Sequence, residues 1–390
     1  MKNGLNRQRS KRTRSFEQAV VGFTAVTLPA TADQPAPSVK RRRAAVVWGG
    51  IPLAVAAALF VAGGIPGTDI RFTVPFAAQG PGPTFNTLEE VDGTPVIEIE
   101  GADVDPTAGS LDMTTVSVRT NMTVGQALSR WLISDDTLVP INQIMPANMS
   151  DEEMRKHNEA TFVASEAAAT VAAMRYLGEP TRVLIHDVLE DGAAADALKP
   201  EDIITAVDGT DVSAPQEVQD LVRSKNPGDE LTISYERDGE PGEATITLGT
   251  NPQDESVPLL GVTMSSEPTG DVAVNYNFND VGGPSAGMIF SLAVIDKLSP
   301  GELNGGKHVA GTGTISEDGS VGPIGGITHK IEGARDGGAE LFLAPENNCK
   351  EASKVDAGDM VVASVATLDD AVAAMSAFSE GSPVKTCAAD

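Results

Sequence analysis

Residues 280–288 read DVGGPSAGM, and residues 325–330 read GGITHK. The first stretch places Ser285 directly after a glycine-proline turn, and the second ends at Lys330. A serine hydroxyl paired with a lysine amine forms a nucleophile and a base, one of the variants of the serine hydrolase triad. Neither half is specific alone, but together they predict where this chain carries out chemistry.

The segment that follows the turn predicts a helix from Ser285 to Leu298. Its apolar side chains recur at helical spacing and share one face: Met288, Leu292 and Ile295. Ser285 is therefore expected at a helix N-terminus, where free N–H groups and the helix dipole stabilise a developing oxyanion. The alternative is that Ser285 only caps the helix, because serine is a preferred N-cap residue.

A second helix is predicted from Thr328 to Gly337, with Lys330 in its first turn. The positive end of a helix dipole disfavours an ammonium group, and burial disfavours it further. Both effects lower the pKa of a lysine toward neutrality, as a general base requires. The alternative is an exposed lysine without a function.

Six segments carry a resemblance to a known family: 280–288, GTGTI at 311–315, GSVGPIGG at 319–326, Lys330, GARDGGA at 333–339 and APENN at 344–348. In this order they resemble the proteolytic domain of Lon-type proteases. The resemblance implies that Ser285 is the nucleophile and Lys330 the base, and that Thr312 orients the lysine. It leaves the role of Asp280 open. Independently of the resemblance, Gly283 lets the backbone turn tightly and Pro284 suits the first turn of a helix, so both support the serine loop.

An ATPase module, which accompanies the proteolytic domain in energy-dependent Lon, requires a GxxxxGK[ST] loop after a strand. Residues 301–308 (GELNGGKH) approach this pattern, but His308 stands where a hydroxyl is needed. Proteolysis is therefore expected to be independent of ATP, and no cofactor is predicted. The four histidines lack ligand spacing, so no metal site is predicted: His157, His186, His308 and His329.

Charge and hydropathy divide the chain sharply. Residues 1–43 hold ten Lys or Arg and two acids, whereas the whole chain has a net charge of −27. Residues 44–68 contain no charge and are long enough to span a bilayer, which predicts a single transmembrane helix. The alternative to a transmembrane anchor is a cleavable signal peptide, but this segment is longer than the apolar core of such a peptide. The positive-inside rule places the tail in the cytoplasm and the rest outside it.

Two cysteines, Cys349 and Cys387, fall on the predicted exported side. Disulfides persist in that compartment, so we expect a structural bond between them rather than two free thiols.

Residues 198–212 (LKPEDIITAVDGTDV), followed by a helix from Pro215 and two strands, resemble a PDZ domain of the type found in bacterial proteases. PDZ domains add an extended peptide to a sheet edge beside a helix. The resemblance implies a groove between the strand from Val183 and that helix, lined by Val183, Leu184, Ile185 and Val218. Residues 178–182 (GEPTR) lack the expected carboxylate-binding pattern, so recognition of C-termini or of internal segments stays open.

The sequence thus predicts an α+β protein with a single transmembrane helix, a PDZ-like domain and a Lon-type α/β domain. The predicted divisions are a cytoplasmic tail (1–43), an anchor (44–68), a β-containing region with a long helix (69–178), a PDZ-like domain (179–250), a protease domain (251–380) and a C-terminal tail (381–390). This order resembles bacterial membrane-anchored PDZ-containing Lon-like proteases.

The resemblance implies a single-pass membrane serine endopeptidase that acts on polypeptides outside the cytoplasm, with a PDZ domain that presents or gates them. The acidic exported part indicates no binding to nucleic acid, and assembly into a homo-oligomer stays open. The alternative is a surface scaffold or chaperone with an inactive Lon-like domain. A signal-peptidase-like enzyme would share the residue pair and the topology but not the surrounding residues.

Overall fold

The computed structural model describes residues 72–91, 93–134, 136–144, 151–270, 272–278 and 282–387. The predicted tail and anchor (1–43 and 44–68) lie outside these residues. Within the described ranges, no helix is both long and apolar enough to cross a bilayer.

The described strands are β1 (Phe76–Asn86), β2 (Glu90–Val91), β3 (Thr94–Pro95), β4 (Ile97–Glu100), β5 (Ser110–Arg119), β6 (Thr137–Pro140), β7 (Thr181–Val188), β8 (Ile203–Val207), β9 (Thr210–Asp211), β10 (Glu230–Arg237), β11 (Glu240–Thr247), β12 (Gly249–Asn251), β13 (Asp254–Leu259), β14 (Val262–Pro268), β15 (Ala273–Tyr276), β16 (His308–Gly311), β17 (Thr314–Ile315), β18 (Val321–Gly322), β19 (Leu341–Pro345) and β20 (Val361–Val365). The described helices are α1 (Val124–Ile133), α2 (Asp151–Tyr176), α3 (Pro215–Arg223), α4 (Gly287–Leu298), α5 (Ile327–Asp336), α6 (Cys349–Ala352) and α7 (Leu368–Ser379), with 3-10 turns at Ile141–Gln143 and Glu346–Asn348.

The larger sheet has the strand order β20-β19-β16-β5-β1-β6. Its first four strands are parallel, and β1 and β6 add to it in antiparallel fashion. Helices cover both faces of this sheet, because its central strands are apolar on both sides. In β19, Leu341 and Leu343 point into one core and Phe342 and Ala344 into the other, as the period of two requires.

The two faces carry the two halves of the candidate site. Helices α2, α4 and α7 pack on one face, where α4 is buried along nearly its whole length. Helix α5 packs on the opposite face through Ile327, Ile331 and Ala334. The alanines of α2, Ala169, Ala172 and Ala173, are a packing face against this core. Small side chains there allow α2 to lie close to α4.

The smaller sheet has the order β11-β10-β8-β7-β14, with β9 beside β8, and is antiparallel throughout. Its core includes Leu198, Ile204, Leu231 and Ile233, and Val218 of α3 packs against them. Strand β14 lies at one edge of this sheet, although it comes after the predicted boundary at residue 250.

The predicted division of the chain differs from the structure in a second respect. Strands β1, β5 and β6, from the region 69–178, share one sheet with β16, β19 and β20. Strand β4 likewise pairs with β15. These segments are therefore one folded unit, with the PDZ-like sheet inserted between them. Periodicity predicts strands but not their partners, because pairing between distant segments leaves no local signal.

Cys349 and Cys387 form a disulfide bond with a Cα–Cα distance of 4.8 Å. The bond ties the end of the described chain to the start of α6, and Cys387 also donates its backbone N–H to Val362 O in β20. The C-terminal segment is therefore held against the larger sheet.

Candidate active site

Ser285 lies in the turn that leads into α4, and it is half-buried. The helix begins at Gly287 with Ala286 as its N-cap, so the predicted start at Ser285 was two residues too early. The carbonyl of Ser285 accepts hydrogen bonds from Gly313 N and from Thr312 Oγ1, both over 2.9 Å. These bonds direct the carbonyl away from the helix, which explains the later start. Ser285 is not the cap, since α4 has no side-chain cap.

Helix α2 holds the serine loop from the other side. Gly283, at φ +89°, donates its N–H to Asn158 O over 3.0 Å. Ser165 Oγ donates to Pro284 O over 3.1 Å. Asn158 and Ser165 were not predicted from the sequence, because they lie more than 100 positions before the loop and no local pattern marks them. The loop is therefore positioned by backbone contacts on both sides.

Lys330 reaches the serine from α5. Its Nζ lies 3.0 Å from Ser285 Oγ, 2.9 Å from Thr312 Oγ1 and 2.6 Å from Thr114 O. The helix begins after Gly326, which has φ +70°, so Lys330 falls in its first turn as predicted. Thr114 was also not predicted from the sequence. Its contribution is a backbone carbonyl, which any residue type provides.

Lys330 is 3% exposed, and Thr312 is 1% exposed. Burial lowers the pKa of Lys330 to about 7, because a charged amine loses its hydration in the interior. A substantial fraction of this amine is therefore uncharged at neutral pH.

The three contacts of Lys330 differ in what they can accept. Thr114 O is a carbonyl and accepts only. The Thr312 hydroxyl donates its proton to Ser285 O, so its oxygen accepts from the amine. A neutral amine has two N–H bonds and one lone pair. When those N–H bonds go to Thr114 and Thr312, the lone pair is left facing the Ser285 hydroxyl.

A cavity of about 510 Å³ opens at Ser285 and Lys330. Apolar side chains form much of its wall: Phe85, Met113, Val116, Val118 and Phe162. Strand β5 pairs with β16 only from Ser110 to Met113, whereas on its other side it pairs with β1 as far as Arg119. Among the described residues, no strand pairs with β5 beyond Met113 on the side where β16 lies. This unpaired part of β5 lines the cavity.

The neighbouring His329 is 4% exposed and faces other partners, Thr137 Oγ1 and Glu332 Oε2. Within the part of the chain that the structure describes, no group of three or more His, Cys, Asp or Glu side chains could hold a metal ion. Asp280 lies outside the described residues.

The predicted peptide-binding residues of β7 are not at a sheet edge. Strand β7 pairs with β8 on one side and with β14 on the other, and Val183, Leu184 and Ile185 are buried. This prediction was wrong because β14, from beyond the predicted domain boundary, occupies the edge. Val218 of α3 does line a groove.

The groove lies between α3 and β14, with a cavity of about 240 Å³. Its apolar lining includes Val218, Val222, Leu260, Val262 and Met264. Residues 260–262 (LGV) lead into β14 and carry an apolar-Gly-apolar pattern, which shares one Gly-apolar step with the Gly-apolar-Gly-apolar pattern that residues 178–182 lack.

Comparison with known families assigns both folded parts. The PDZ domain family matches residues 153–248, and the Lon protease (S16) C-terminal proteolytic domain matches residues 279–376. The chain therefore contains a PDZ domain and a Lon-type proteolytic domain, the latter a serine peptidase domain. Strands β1, β5 and β14 lie outside both matches.

The chain is also similar to curated Lon proteases over part of its length. The chain is similar to the archaeal Lon protease of Halobacterium salinarum (36% identity over 85 residues, 22% of this chain and 12% of the relative). It is also similar to Lon protease of Haemophilus influenzae, with 34% identity over 91 residues, which is 23% of this chain and 11% of the relative. The match thus spans about an eighth of these relatives' length. Among solved structures, the PDZ domain of the SdrC-like protein from Listeria monocytogenes aligns at 32% identity over 21% of this chain and 85% of that one, with a TM-score of 0.20.

Proposed function

We propose that this protein is a membrane-anchored serine endopeptidase that cleaves polypeptides without ATP, using Ser285 as nucleophile and Lys330 as base. The observation that carries the proposal is the 3.0 Å contact between Ser285 Oγ and the Nζ of a lysine that burial keeps partly uncharged at neutral pH. A scaffold or chaperone with an inactive domain has no physical need for that arrangement.

The first step is removal of the Ser285 proton by neutral Lys330, while Oγ attacks the substrate carbonyl carbon. The carbonyl π electrons move to oxygen and form an oxyanion. Helix α4 begins two residues after Ser285, so its positive end lies beside the reacting group. Met288 N already donates to Gly313 O. The donors to the oxyanion therefore come from the backbone N–H groups of residues 285–287.

The tetrahedral intermediate then collapses. The amine leaving group takes the proton from the Lys330 ammonium, and an acyl-enzyme on Ser285 remains. Water attacks this ester, again with Lys330 as base, and the second product leaves as a carboxylate. The fixed contacts to Thr114 and Thr312 keep the lysine in place through both steps.

The substrate is proposed to lie extended along the open edge of β5. This edge borders the cavity from Met113 to Val118 and begins at Thr114, whose carbonyl contacts Lys330. A polypeptide that adds there as a further strand gains backbone hydrogen bonds without a sequence requirement. The apolar wall of the cavity then favours an apolar side chain next to the cleaved bond.

The PDZ domain is proposed to capture polypeptides at the outer edge of β14 rather than at β7. The carbonyls of Leu260 and Gly261 accept from Ala194 N and Leu189 N, within the domain. In a trans peptide the C=O and the following N–H point in opposite directions. The N–H groups of Gly261 and Val262 therefore point away from the domain, where they can bind a terminal carboxylate.

Anchoring and independence from ATP rest on the sequence. Residues 44–68 are uncharged and apolar over a bilayer-spanning length and follow the basic run Lys40 to Arg43. A phosphate-binding loop that ends in Gly-Lys-Ser or Gly-Lys-Thr does not occur in the printed sequence.

The test uses the full-length protein purified in mild detergent, with an unfolded polypeptide as substrate and without nucleotide. Ser285→Ala and Lys330→Ala are each expected to abolish cleavage. Ser376→Ala and Lys350→Ala, at exposed positions of α7 and α6, are matched controls that retain it. Cleavage by either site variant at the wild-type rate would refute the assignment of Ser285 and Lys330.

A further inference from the structure

Helix α1 turns an apolar face toward solvent. Val124, Leu128, Trp131 and Leu132 recur at i, i+4, i+7 and i+8, the spacing that normally faces a protein core. Here these four side chains are 42, 37, 55 and 65% exposed, and Ile133 at the helix end is 79% exposed. Ala127 is the one residue of α1 that is buried. A face of this composition is expected to have a partner.

The charge around this helix differs from that of the whole chain. Residues 113–134 contain no acid, although the chain has a net charge of −27. Two cations, Arg119 and Arg130, line one hollow beside α1. Arg130 lies 3.6 Å from Asp136, and Arg119 is exposed. Asp136 is buried and paired with Arg130, so the exposed charge that remains in this hollow beside α1 is the cation of Arg119.

The location of α1 indicates what that partner is. Thr73 forms a β-bridge with Thr123, the N-cap of α1, and Val74 donates to Met122 O over 2.8 Å. The apolar segment 44–68 ends five positions before Thr73. Five residues span at most about 18 Å, and α1 itself is about 15 Å long. If residues 44–68 cross a bilayer, α1 is within reach of its surface.

We propose that the exposed face of α1 (Val124, Leu128, Trp131, Leu132 and Ile133) lies on the lipid headgroup layer on the exported side of the membrane. This inference rests on the proposed anchor. Amphipathic helices that carry Trp and Leu opposite a polar face bury that face at the headgroup boundary, and Trp is enriched there. Arg119 and Arg130 lie beside this face, and Asp136 is paired with Arg130, so the net local charge attracts anionic lipid.

This contact would also orient the protease. Strand β5 ends at Arg119 beside α1, and its preceding residues up to Val118 line the catalytic cavity. With α1 on the lipid, the cavity opens near the membrane surface. Polypeptide segments close to the bilayer are then the accessible substrates.

The sequence provides its own reporters, because its two tryptophans are Trp48 in the predicted anchor and Trp131 in α1. Trp48→Phe leaves Trp131 as the single tryptophan, and Trp131→Phe leaves Trp48; excitation at the red edge of the absorption band selects tryptophan over tyrosine. Each full-length variant is reconstituted into nanodiscs that contain anionic lipid, with and without brominated acyl chains, which quench tryptophan on contact.

The expected result is that brominated lipid quenches both tryptophans. The emission of Trp131 is also expected at a shorter wavelength than that of a tryptophan peptide in water. Quenching of Trp48 without quenching of Trp131 would overturn the inference and leave the anchor intact. Absence of quenching at Trp48 would overturn the anchor, and the inference with it. A blue-shifted but unquenched Trp131, with the shift lost on dilution of the nanodiscs, would show that α1 contacts a second protein copy instead and would also overturn the inference.

A matched variant separates lipid contact from misfolding. Leu128→Glu with Leu132→Glu, in the Trp48→Phe background, places two acids on exposed positions outside the catalytic cavity. We expect loss of Trp131 quenching with unchanged cleavage of a short soluble peptide. If this variant cleaves the short peptide at the wild-type rate and brominated lipid still quenches Trp131, the inference is contradicted.

Discussion

The hydroxyl of Thr312 donates to the backbone carbonyl of Ser285 over 2.9 Å. The same oxygen lies 2.9 Å from the Nζ of Lys330 and accepts from it. One buried side chain thus fixes both the turn that presents the nucleophile and the amine that activates it.

Replacement of Thr312 by Val keeps the shape of the side chain and removes the hydroxyl. We expect kcat to fall roughly 10- to 100-fold, because a misplaced base loses catalytic efficiency, while KM stays near the wild-type value. The lost acceptor disfavours the ammonium form, so the pH midpoint of kcat moves lower. Thr312→Ser retains the hydroxyl and is expected to keep kcat and its pH midpoint near the wild-type values. A fall in kcat with the pH midpoint unchanged would indicate a structural role only.

The pH profile of cleavage is set by Lys330, which is active when neutral. Burial lowers its pKa to about 7, so the rate of cleavage is expected to rise as the pH increases through about 7. Burial also raises the pKa of Glu166 in α2 to about 7. Glu166→Gln is therefore the control, and its profile should keep the same midpoint. Loss of the rising limb in this variant would assign that limb to the carboxyl group.

The burial of Lys330 also costs stability. Its pKa in the folded state lies below the value of 10.5 for a free lysine, so the unfolded state binds more protons between pH 7 and 10.5. The free energy of unfolding therefore rises with pH in that window. Below pH 7 the full destabilisation by the buried lysine is present. Lys330→Met is expected to raise the free energy of unfolding by roughly 2–4 kcal/mol at pH 7 and by much less at pH 10. Urea titrations at both pH values, with Lys350→Met as control, measure the difference.

The PDZ groove is expected to bind apolar peptides that end in a free carboxylate. Met264→Glu places a negative charge in the groove between α3 and β14 and should weaken binding at least 10-fold, whereas Met264→Leu should retain it. Fluorescence anisotropy with labelled peptides measures both, and an amidated C-terminus tests the contribution of the carboxylate. Equal binding of the amidated and free peptides would point to recognition of internal segments.

The disulfide between Cys349 and Cys387 closes a segment with a sequence separation of 38. Cys349→Ser with Cys387→Ser is expected to lower the free energy of unfolding by roughly 3–4 kcal/mol, because the unfolded chain regains the entropy of the open loop. Denaturation of the wild-type protein with and without reductant should show the same difference. The doubly substituted protein should not respond to reductant.

Local signals accounted for much of the fold. The long helix α2 follows from a capping box at residues 150–153 and from its alanine content, and the helix α5 that carries Lys330 follows from the turn residues before it. The strand within residues 181–188 follows from its run of apolar residues. The start of α4 was placed too early because the carbonyl of Ser285 is held by Thr312 and Gly313, from a different strand connection. Sequence patterns record the propensity of a segment, and this boundary depends on a contact made across the fold.

The sequence by itself determined the types of folded unit in this chain and the pair Ser285 and Lys330, because ordered motifs and charge patterns lie along the chain. Only the tertiary structure decided that β1, β5 and β6 complete the sheet of the protease domain, that β14 forms the edge of the PDZ groove, and that α2 holds the serine loop. Each of these rests on hydrogen bonds and packing between residues far apart in the chain. Such pairing is selected by the free energy of the whole fold, and no single segment encodes it.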